Sequence, residues 1–265
     1  MSSLRDKAVS IREKMKRGQP SFGSWLATAH VSNAEILAAA GFDWVAIDME
    51  HSSIVLSDLP MLFGALERGE CVPLVRLPEN DPSTARRVMD LGACGIIIPM
   101  VNSQADAEKA ALSVRYPPIG QRGVGIARAQ EYGRGFKEYV KATDDAVLVI
   151  PQIEHIRAVE NVEAIFSVRG VDAYMIGPYD LSGSLGIPGQ LRDPRVESAK
   201  AKVLEASRGR SIIPGIHLVH PNEGDLADAV GAGYRFIALS SDILMLADAS
   251  DRIASLTERH RGRDG

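Results

Sequence analysis

One pattern recurs along the chain: a helical run closes at a glycine, and a short β-branched or apolar run follows. It reads EILAAAGFDWVAID at 35–48, ARRVMDLGACGIIIP at 85–99, VEAIFSVRGVDAYMIG at 162–177 and LADAVGAGYRFIAL at 226–239. In each, the glycine suits a helix C-terminus, where a left-handed backbone is needed. The apolar run after it reads as a buried strand.

Extended along the sequence, the pattern predicts strands near 22–28, 43–48, 72–76, 95–99, 146–153, 173–177, 212–217 and 235–239. Helices are expected near 32–40, 57–68, 82–91, 103–114, 156–166, 194–208, 222–230 and 241–258, with a further N-terminal helix within 1–19. Ser32, Asp81-Pro82 and Pro221-Asn222 supply start signals. GIIIP and AVLVIPQI are apolar throughout rather than alternating, as in a parallel sheet covered on both faces. Eight strands alternating with eight helices, with no linker between them, predict one α/β domain over 1–265, a (β/α)8 TIM barrel. The doubly wound alternative would carry a glycine-rich fingerprint after its first strand, and none is there. One interval is long: YPPIGQRGVGIARAQEYGRGF at 116–136 separates strands 4 and 5 and reads as a lid.

Composition narrows the function classes. The chain has 265 residues and a net charge of −4, without the basic footprint of a nucleic-acid binder. Two cysteines, Cys71 and Cys94, cannot build a disulfide framework or a cysteine zinc site and read as core packing. No apolar run approaches the length of a membrane span. The first twenty residues, MSSLRDKAVSIREKMKRGQP, lack the apolar stretch of a signal peptide. A cytoplasmic protein is expected.

Catalytic groups of a barrel collect at the C-terminal ends of its strands. Glu154 ends strand 5 and Asp180 follows strand 6, so two carboxylates meet there with Gln152 on the face of Glu154. Two carboxylates and few nitrogen ligands suit a hard divalent cation; ion pairs with arginine are the alternative. Asp48 and His51 at the end of strand 2 could form a general-base dyad, or His51 could be a plain hydrogen-bonded residue. Arg76 ends strand 3 and must meet an anion, either a substrate or Glu50 or Asp48. GPYDLSGSLGIPG at 177–189 offers backbone N–H groups to a carboxylate or phosphate.

The lysines exclude a mechanism. Of 30 basic residues only eight are lysine, at 7, 14, 16, 109, 137, 141, 200 and 202. None lies in an assigned strand or at its C-terminal end, so imine catalysis is disfavoured. Carbanion chemistry here would need a metal as its electron sink.

GSWLAT, AAGFDWVAIDMEH, PLVRLPENDP, MDLGACGIIIPMVNS, PPIGQRGVG, VIPQIEH and GPYDLSGSLGIPGQ together resemble the HpcH/HpaI family of metal-dependent pyruvate aldolases. They cover roughly residues 20–190 in the family's order; the remainder matches more loosely. The resemblance implies a barrel whose eighth helix, 241–265 here, is swapped between subunits, usually in hexamers built as trimers of dimers. It implies reversible cleavage of 4-hydroxy-2-oxo acids to pyruvate, or a related 2-oxo acid such as hydroxypyruvate, and an aldehyde.

Carried onto this sequence, Glu154 and Asp180 correspond to the ligands of Mg2+, Mn2+ or Co2+, and Arg76 to the enolate-stabilising arginine. His51 with Asp48 corresponds to the dyad that handles the aldol hydroxyl proton through a water. Gln152 would lie beside the metal, Trp25 at the pocket wall, and Gly177, Pro178 and Tyr179 against the 2-oxo acid carboxylate. Asp90 corresponds to an aspartate near the subunit boundary and is counted with the catalytic residues. Three departures stand out: IARAQEYG after RGVG, Tyr179 where a small residue is common, and His217 where an aliphatic residue would face the aldehyde. His217 is expected to bind substrate and to make the distal pocket more polar. Two other readings remain: chemistry on a phosphorylated or CoA-linked oxo acid, with Arg122 and Arg128 as the only candidate basic residues at the mouth, and a non-catalytic binding barrel.

Overall fold

The computed structural model describes residues 2–261. Eight parallel strands close into a barrel in sequence order: β1 (Ser21–Leu26), β2 (Trp44–Asp48), β3 (Val72–Arg76), β4 (Gly95–Ile98), β5 (Leu148–Ile153), β6 (Met175–Ile176), β7 (Gly215–Leu218) and β8 (Phe236–Ser241). The (β/α)8 expectation is met. All four glycines of the recurring pattern take a positive φ: 87° at Gly41, 118° at Gly92, 96° at Gly170 and 114° at Gly233. Gly41, Gly92 and Gly233 stand directly at helix ends, and Gly170 in the turn that follows α8, each where a residue with a Cβ would be strained.

The first helix, α1 (Ser2–Lys16), closes the N-terminal end of the barrel. Leu4, Ala8, Ile11 and Met15 recur on one helical face. They pack with Trp44, Val72, Cys94, Leu148 and Phe236 in the barrel interior. Arg12 on the same helix pairs with Asp172 at 3.1 Å and donates to the Val147 carbonyl, tying α1 to the start of β5. Trp44 stacks on Phe236 with ring centroids 4.1 Å apart. A Cβ at position 23 would fall 2.1 Å from the Trp44 ring, so glycine is required there.

Around the barrel run α2 (Val31–Ala39), α3 (Leu59–Arg68), α4 (Pro82–Leu91), α5 (Gln104–Ser113), α6 (Phe136–Ala146), α7 (Ile156–Glu160), α8 (Val162–Phe166), α9 (Pro178–Ser184), α10 (Pro194–Ser207), α11 (Glu223–Ala232) and α12 (Asp242–Arg261). Four features differ from expectation. The helix predicted over 156–166 breaks at Asn161 into α7 and α8. Strand β6 has two residues, extended only by a bridge between Ala173 and Ile213. The turn after it is helical, as α9. The 116–136 interval is not a lid over the mouth: it carries a 3-10 turn at Arg128–Gly133 and leads into the unpredicted α6. Buried Tyr116, Ala129 and Tyr139 anchor it. Arg5 of α1 reaches the Ala129 carbonyl, which fixes this anchored part at the N-terminal end of the barrel, opposite the mouth. Among the described residues no helix is long and apolar enough to cross a membrane.

Candidate active site

A cavity of about 190 Å3 opens at the C-terminal ends of the strands, with Trp25, Arg76, Gln152, Gly177, Asp180 and His217 among its lining residues. Trp25, Arg76, Gln152 and His217 come from β1, β3, β5 and β7. Barrel interiors are filled by layers of four side chains from alternate strands. Here the uppermost layer from the odd strands carries polar groups, and those groups are the floor of the cavity.

Arg76 is held on three sides. Its Nε donates to Asp48 Oδ1 at 2.9 Å and its Nη2 to Asp48 Oδ2 at 2.6 Å. Nη1 lies 3.3 Å from Glu50 Oε2, and the guanidinium sits 4.5 Å over the Trp25 ring. Burial alone would raise the Asp48 pKa, but the Arg76 contact and the N–H groups of His51 and Glu50 hold it below the usual carboxylate range. The ion-pair alternative for Arg76 is thus realised within the chain, and realised so that the cation faces the cavity.

The Asp48–His51 dyad is not assembled. Asp48 spends both oxygens on Arg76 and accepts the His51 backbone N–H, not its ring. The His51 side chain is 62% exposed at the rim, and its Nε2 lies 3.8 Å from Glu50 Oε2. The carboxylate facing His51 is therefore Glu50, a residue that sequence reasoning considered only as an ion-pair partner. A signal existed: 48 and 50 are two apart at a strand end, and such positions face the same side.

Glu154 is 2% exposed; its Oε1 accepts the Met100 N–H at 2.6 Å and its Oε2 accepts from Gln152. Burial pushes its pKa up to about 7 against those hydrogen bonds, with the Glu50 and Asp180 charges adding to the rise. Glu50 is also pushed up to about 7, by burial first, with Arg76 opposing and Asp48 and Asp180 adding. Asp180 lies exposed in the first turn of α9. A Cβ at position 177 would come within 2.8 Å of Glu154 Oε2 and 3.1 Å of Gln152 Nε2, so Gly177 keeps the space before this carboxylate open. Gln152 Oε1 is buried without a partner among the described residues.

Carboxylates that burial and mutual repulsion drive toward neutrality are groups that a cation would restore to their charged form. Among the described residues no three His, Cys, Asp or Glu side chains come together as a cage. The donor set therefore fits a hard cation that keeps open positions for water and substrate oxygens.

On the opposite wall, β8 bulges against β1: Gly23 pairs with Ala238 and Trp25 with Ser241. The extra residue includes Ser240 at φ 53°, a strained left-handed conformation often found at functional sites. Its carbonyl meets His217 Nε2 at 3.3 Å. Nothing in the sequence signalled this bulge, or the left-handed Met100 at φ 53° beside Glu154.

Three predicted residues lie away from the cavity. Asp90 on α4 pairs with the buried Arg122 at 2.6 Å, and Arg122 also donates to the Tyr139 hydroxyl. Arg128 pairs with Glu67 at 2.8 Å and donates to the Leu91 carbonyl. Neither arginine is at the mouth, so the phosphorylated or CoA-linked alternative loses its candidate cations. Pro178 and Tyr179 do line the cavity, with Tyr179 45% exposed.

Residues 21–249 match the family model described as HpcH/HpaI aldolase/citrate lyase. The chain is 35% identical over 248 residues to a 4-hydroxy-2-oxo-heptane-1,7-dioate aldolase of Salmonella typhimurium, covering 93% of each chain. Its structure is similar to an HpcH/HpaI aldolase/citrate lyase family protein from Burkholderia cenocepacia, with a TM-score of 0.88, 33% identity and 94% and 99% of the two chains covered. It is also similar to an HpcH/HpaI aldolase from Desulfitobacterium hafniense, with a TM-score of 0.85, 29% identity and 93% and 96% covered.

Proposed function

The chain belongs to the HpcH/HpaI aldolase/citrate lyase family, and on that premise we propose that it is a carbon–carbon lyase cleaving 4-hydroxy-2-oxo acids to pyruvate, or a related 2-oxo acid, and an aldehyde. The observation that carries the reading is that Asp180 and the clamped Arg76 line one cavity while Glu154, buried beside Gln152 and Gly177 of its wall, is near enough for its charge to act on both. Glu154 and Asp180 would hold a divalent cation, Mg2+, Mn2+ or Co2+. When bound, that cation supplies Lewis-acid polarisation of the 2-oxo group.

The chain's own groups account for the rest. Arg76 is a permanent cation: burial works against its charge, and Asp48 more than restores it. Fixed by two hydrogen bonds, it stabilises negative charge on the enolate oxygen without reorganising. Gln152 and the Met100 N–H orient Glu154. Gly177, Pro178 and Tyr179 wall the end that would receive the 2-oxo acid carboxylate. In cleavage the C3–C4 bond breaks and the C4 hydroxyl proton leaves. His51 at the rim, with Glu50 behind it, is the group in place to receive that proton through a water.

Assembly belongs to the same proposal. The outer face of α12 exposes Ile243, Leu246, Ile253 and Leu256, which supports a helix that docks on another subunit, in a homo-oligomer of trimer-of-dimers type. The buried free thiols of Cys71 and Cys94 accord with a cytoplasmic setting. Asp90 would then serve near a subunit boundary rather than in its own cavity.

The test is pyruvate release from 4-hydroxy-2-oxo acids, abolished by chelation and restored by Mg2+, Mn2+ or Co2+. Activity that survives EDTA, or persists in Glu154→Ala, overturns the metal assignment. For assembly, Leu246→Glu with Ile253→Glu is expected to lower the mass measured by sedimentation; an unchanged mass removes α12 from the interface.

A further inference from the structure

His217 stands at a neck. With Pro178 and Val219 it lines both the reaction cavity and a larger groove of about 790 Å3 between α10 and α11. Its ring lies 5.5 Å from the Trp25 ring, centroid to centroid.

The chemistry of that neck follows from one hydrogen bond. The partner of His217 Nε2 is the Ser240 carbonyl, which can only accept, so Nε2 must carry the proton. Burial keeps the imidazole neutral, with a pKa lowered to about 4 despite that carbonyl. A neutral ring protonated at Nε2 leaves Nδ1 as a lone-pair acceptor. Beside it, Trp25 is 4% exposed and its indole N–H is buried without a partner among the described residues. The neck thus places an unused acceptor and an unused donor in neighbouring side chains.

A hydroxyl group can donate to Nδ1, and a small shift of the buried Trp25 ring would let it accept from the indole as well. An alkyl chain satisfies neither, and a carboxylate would set its lone pairs against that of Nδ1. The groove beyond is lined by charges of both signs, Arg192 and Lys200 with Glu197, Asp225 and Asp228. That balance suits a neutral polar chain better than an anionic one.

Resting on the aldolase reading above, we infer that His217 and Trp25 form a hydroxyl-binding pair that selects 2-hydroxyaldehydes over alkyl and acidic aldehydes, with the rest of a polyhydroxylated chain running into the α10–α11 groove. The tautomer is set by the Ser240 bulge, so the strained backbone of β8 acts as a positioning element for specificity.

The experiment is condensation of pyruvate by the metal-loaded enzyme with glycolaldehyde, propanal or succinic semialdehyde, comparing kcat/KM. Glycolaldehyde is expected to exceed propanal by about tenfold or more, the scale of one buried hydrogen bond, and to exceed succinic semialdehyde likewise. In His217→Leu the glycolaldehyde-to-propanal ratio should fall toward one; His217→Gln, which keeps a donor for Ser240 and an acceptor, should retain most of it. Trp25→Phe should lower the ratio in part. A ratio near one in the parent enzyme, an unchanged ratio in His217→Leu, or equal loss in the Leu and Gln variants overturns the inference. Deuterium exchange into the pyruvate methyl group needs no aldehyde, so it separates the two readings. Exchange with no hydroxyl preference defeats this inference alone; no exchange and no cleavage defeat the aldolase reading.

Discussion

Asp48 and Arg76 stand opposite each other in the register of β2 and β3, and their side chains lock through two hydrogen bonds of 2.9 and 2.6 Å. The pairing decides what each residue can do. Asp48 is committed as an orienting anion, and Arg76 presents its remaining face to the cavity.

Asp48→Asn tests that division. The amide can accept one Arg76 hydrogen bond but not two, and it leaves a nearly buried cation underneutralised. We expect kcat for pyruvate release to fall about 10–100-fold, as for loss of an outer-shell orienting group, while the affinity for Mn2+ stays within about twofold. A comparable loss in metal affinity would show that Asp48 acts on the metal site instead.

Gly177→Ala probes the other side of the cavity. Position 177 has an ordinary φ of −94°, so alanine costs nothing in backbone conformation. Its Cβ would nonetheless crowd Glu154 Oε2 and Gln152 Nε2. Divalent-ion affinity is expected to drop about tenfold or more, with the circular-dichroism spectrum unchanged. Calorimetric titration with Mn2+ reads it directly, and an unaltered affinity rejects the placement of Glu154.

Much of this was legible in the sequence, for reasons that particular residues make plain. The helix–glycine–strand repeat announced the barrel because Gly41, Gly92 and Gly233 end helices, and Gly170 turns the chain after one, in a conformation other residues avoid. Helix α6 was not legible: Gly135 gives no side-chain cap, and Asp144 and Asp145 sit at its C-terminal end, where the dipole disfavours them. At the site, strand-end positions brought Arg76, Gln152, Glu154 and His217 into view, and Trp25 came from the family resemblance. Sequence spacing suggested Asp48 with His51, three residues apart. The partner that Asp48 takes is 28 residues away on the next strand; the sequence offered that pair as one alternative, and the sheet register selects it.

Glu50 yields a pH prediction. Its folded pKa of about 7 stands above the ordinary value of 4.5, so between these values the folded state holds a proton that the unfolded state has lost. Stability then falls as pH rises through that window. In EDTA-treated protein, Glu50→Gln should match the parent near pH 4 and unfold at a higher temperature than the parent above pH 7. Thermal melts of the two proteins across pH 4–8 check it. A variant less stable than the parent at pH 8 would mean that the Arg76 contact outweighs burial.

Asp90 and Arg122 close the argument about which carboxylates serve the reaction. Arg122 has a fully buried side chain held by Asp90, by the Tyr139 hydroxyl and by the faces of Tyr116 and Tyr139 at 4.6 and 5.3 Å. Removing Asp90 leaves that cation with only neutral partners in the interior. Loss of a buried pair's partner costs about 3–5 kcal/mol, less where the removed carboxylate is partly exposed as Asp90 is, so a melting-point drop of roughly 5–10 °C is expected at this chain length. Asp90→Asn should therefore destabilise the protein. The double variant with Arg122→Gln should be more stable than the sum of the two single changes, because it removes the stranded charge as well. Melting curves for the four proteins of the cycle measure that coupling. Activity assayed well below the melting point separates stabilisation from catalysis. A kcat/KM within about threefold of the parent marks Asp90 as the anchor of the 116–136 segment, whereas a much larger loss at unchanged stability would place its carboxylate at a neighbouring subunit's reaction cavity.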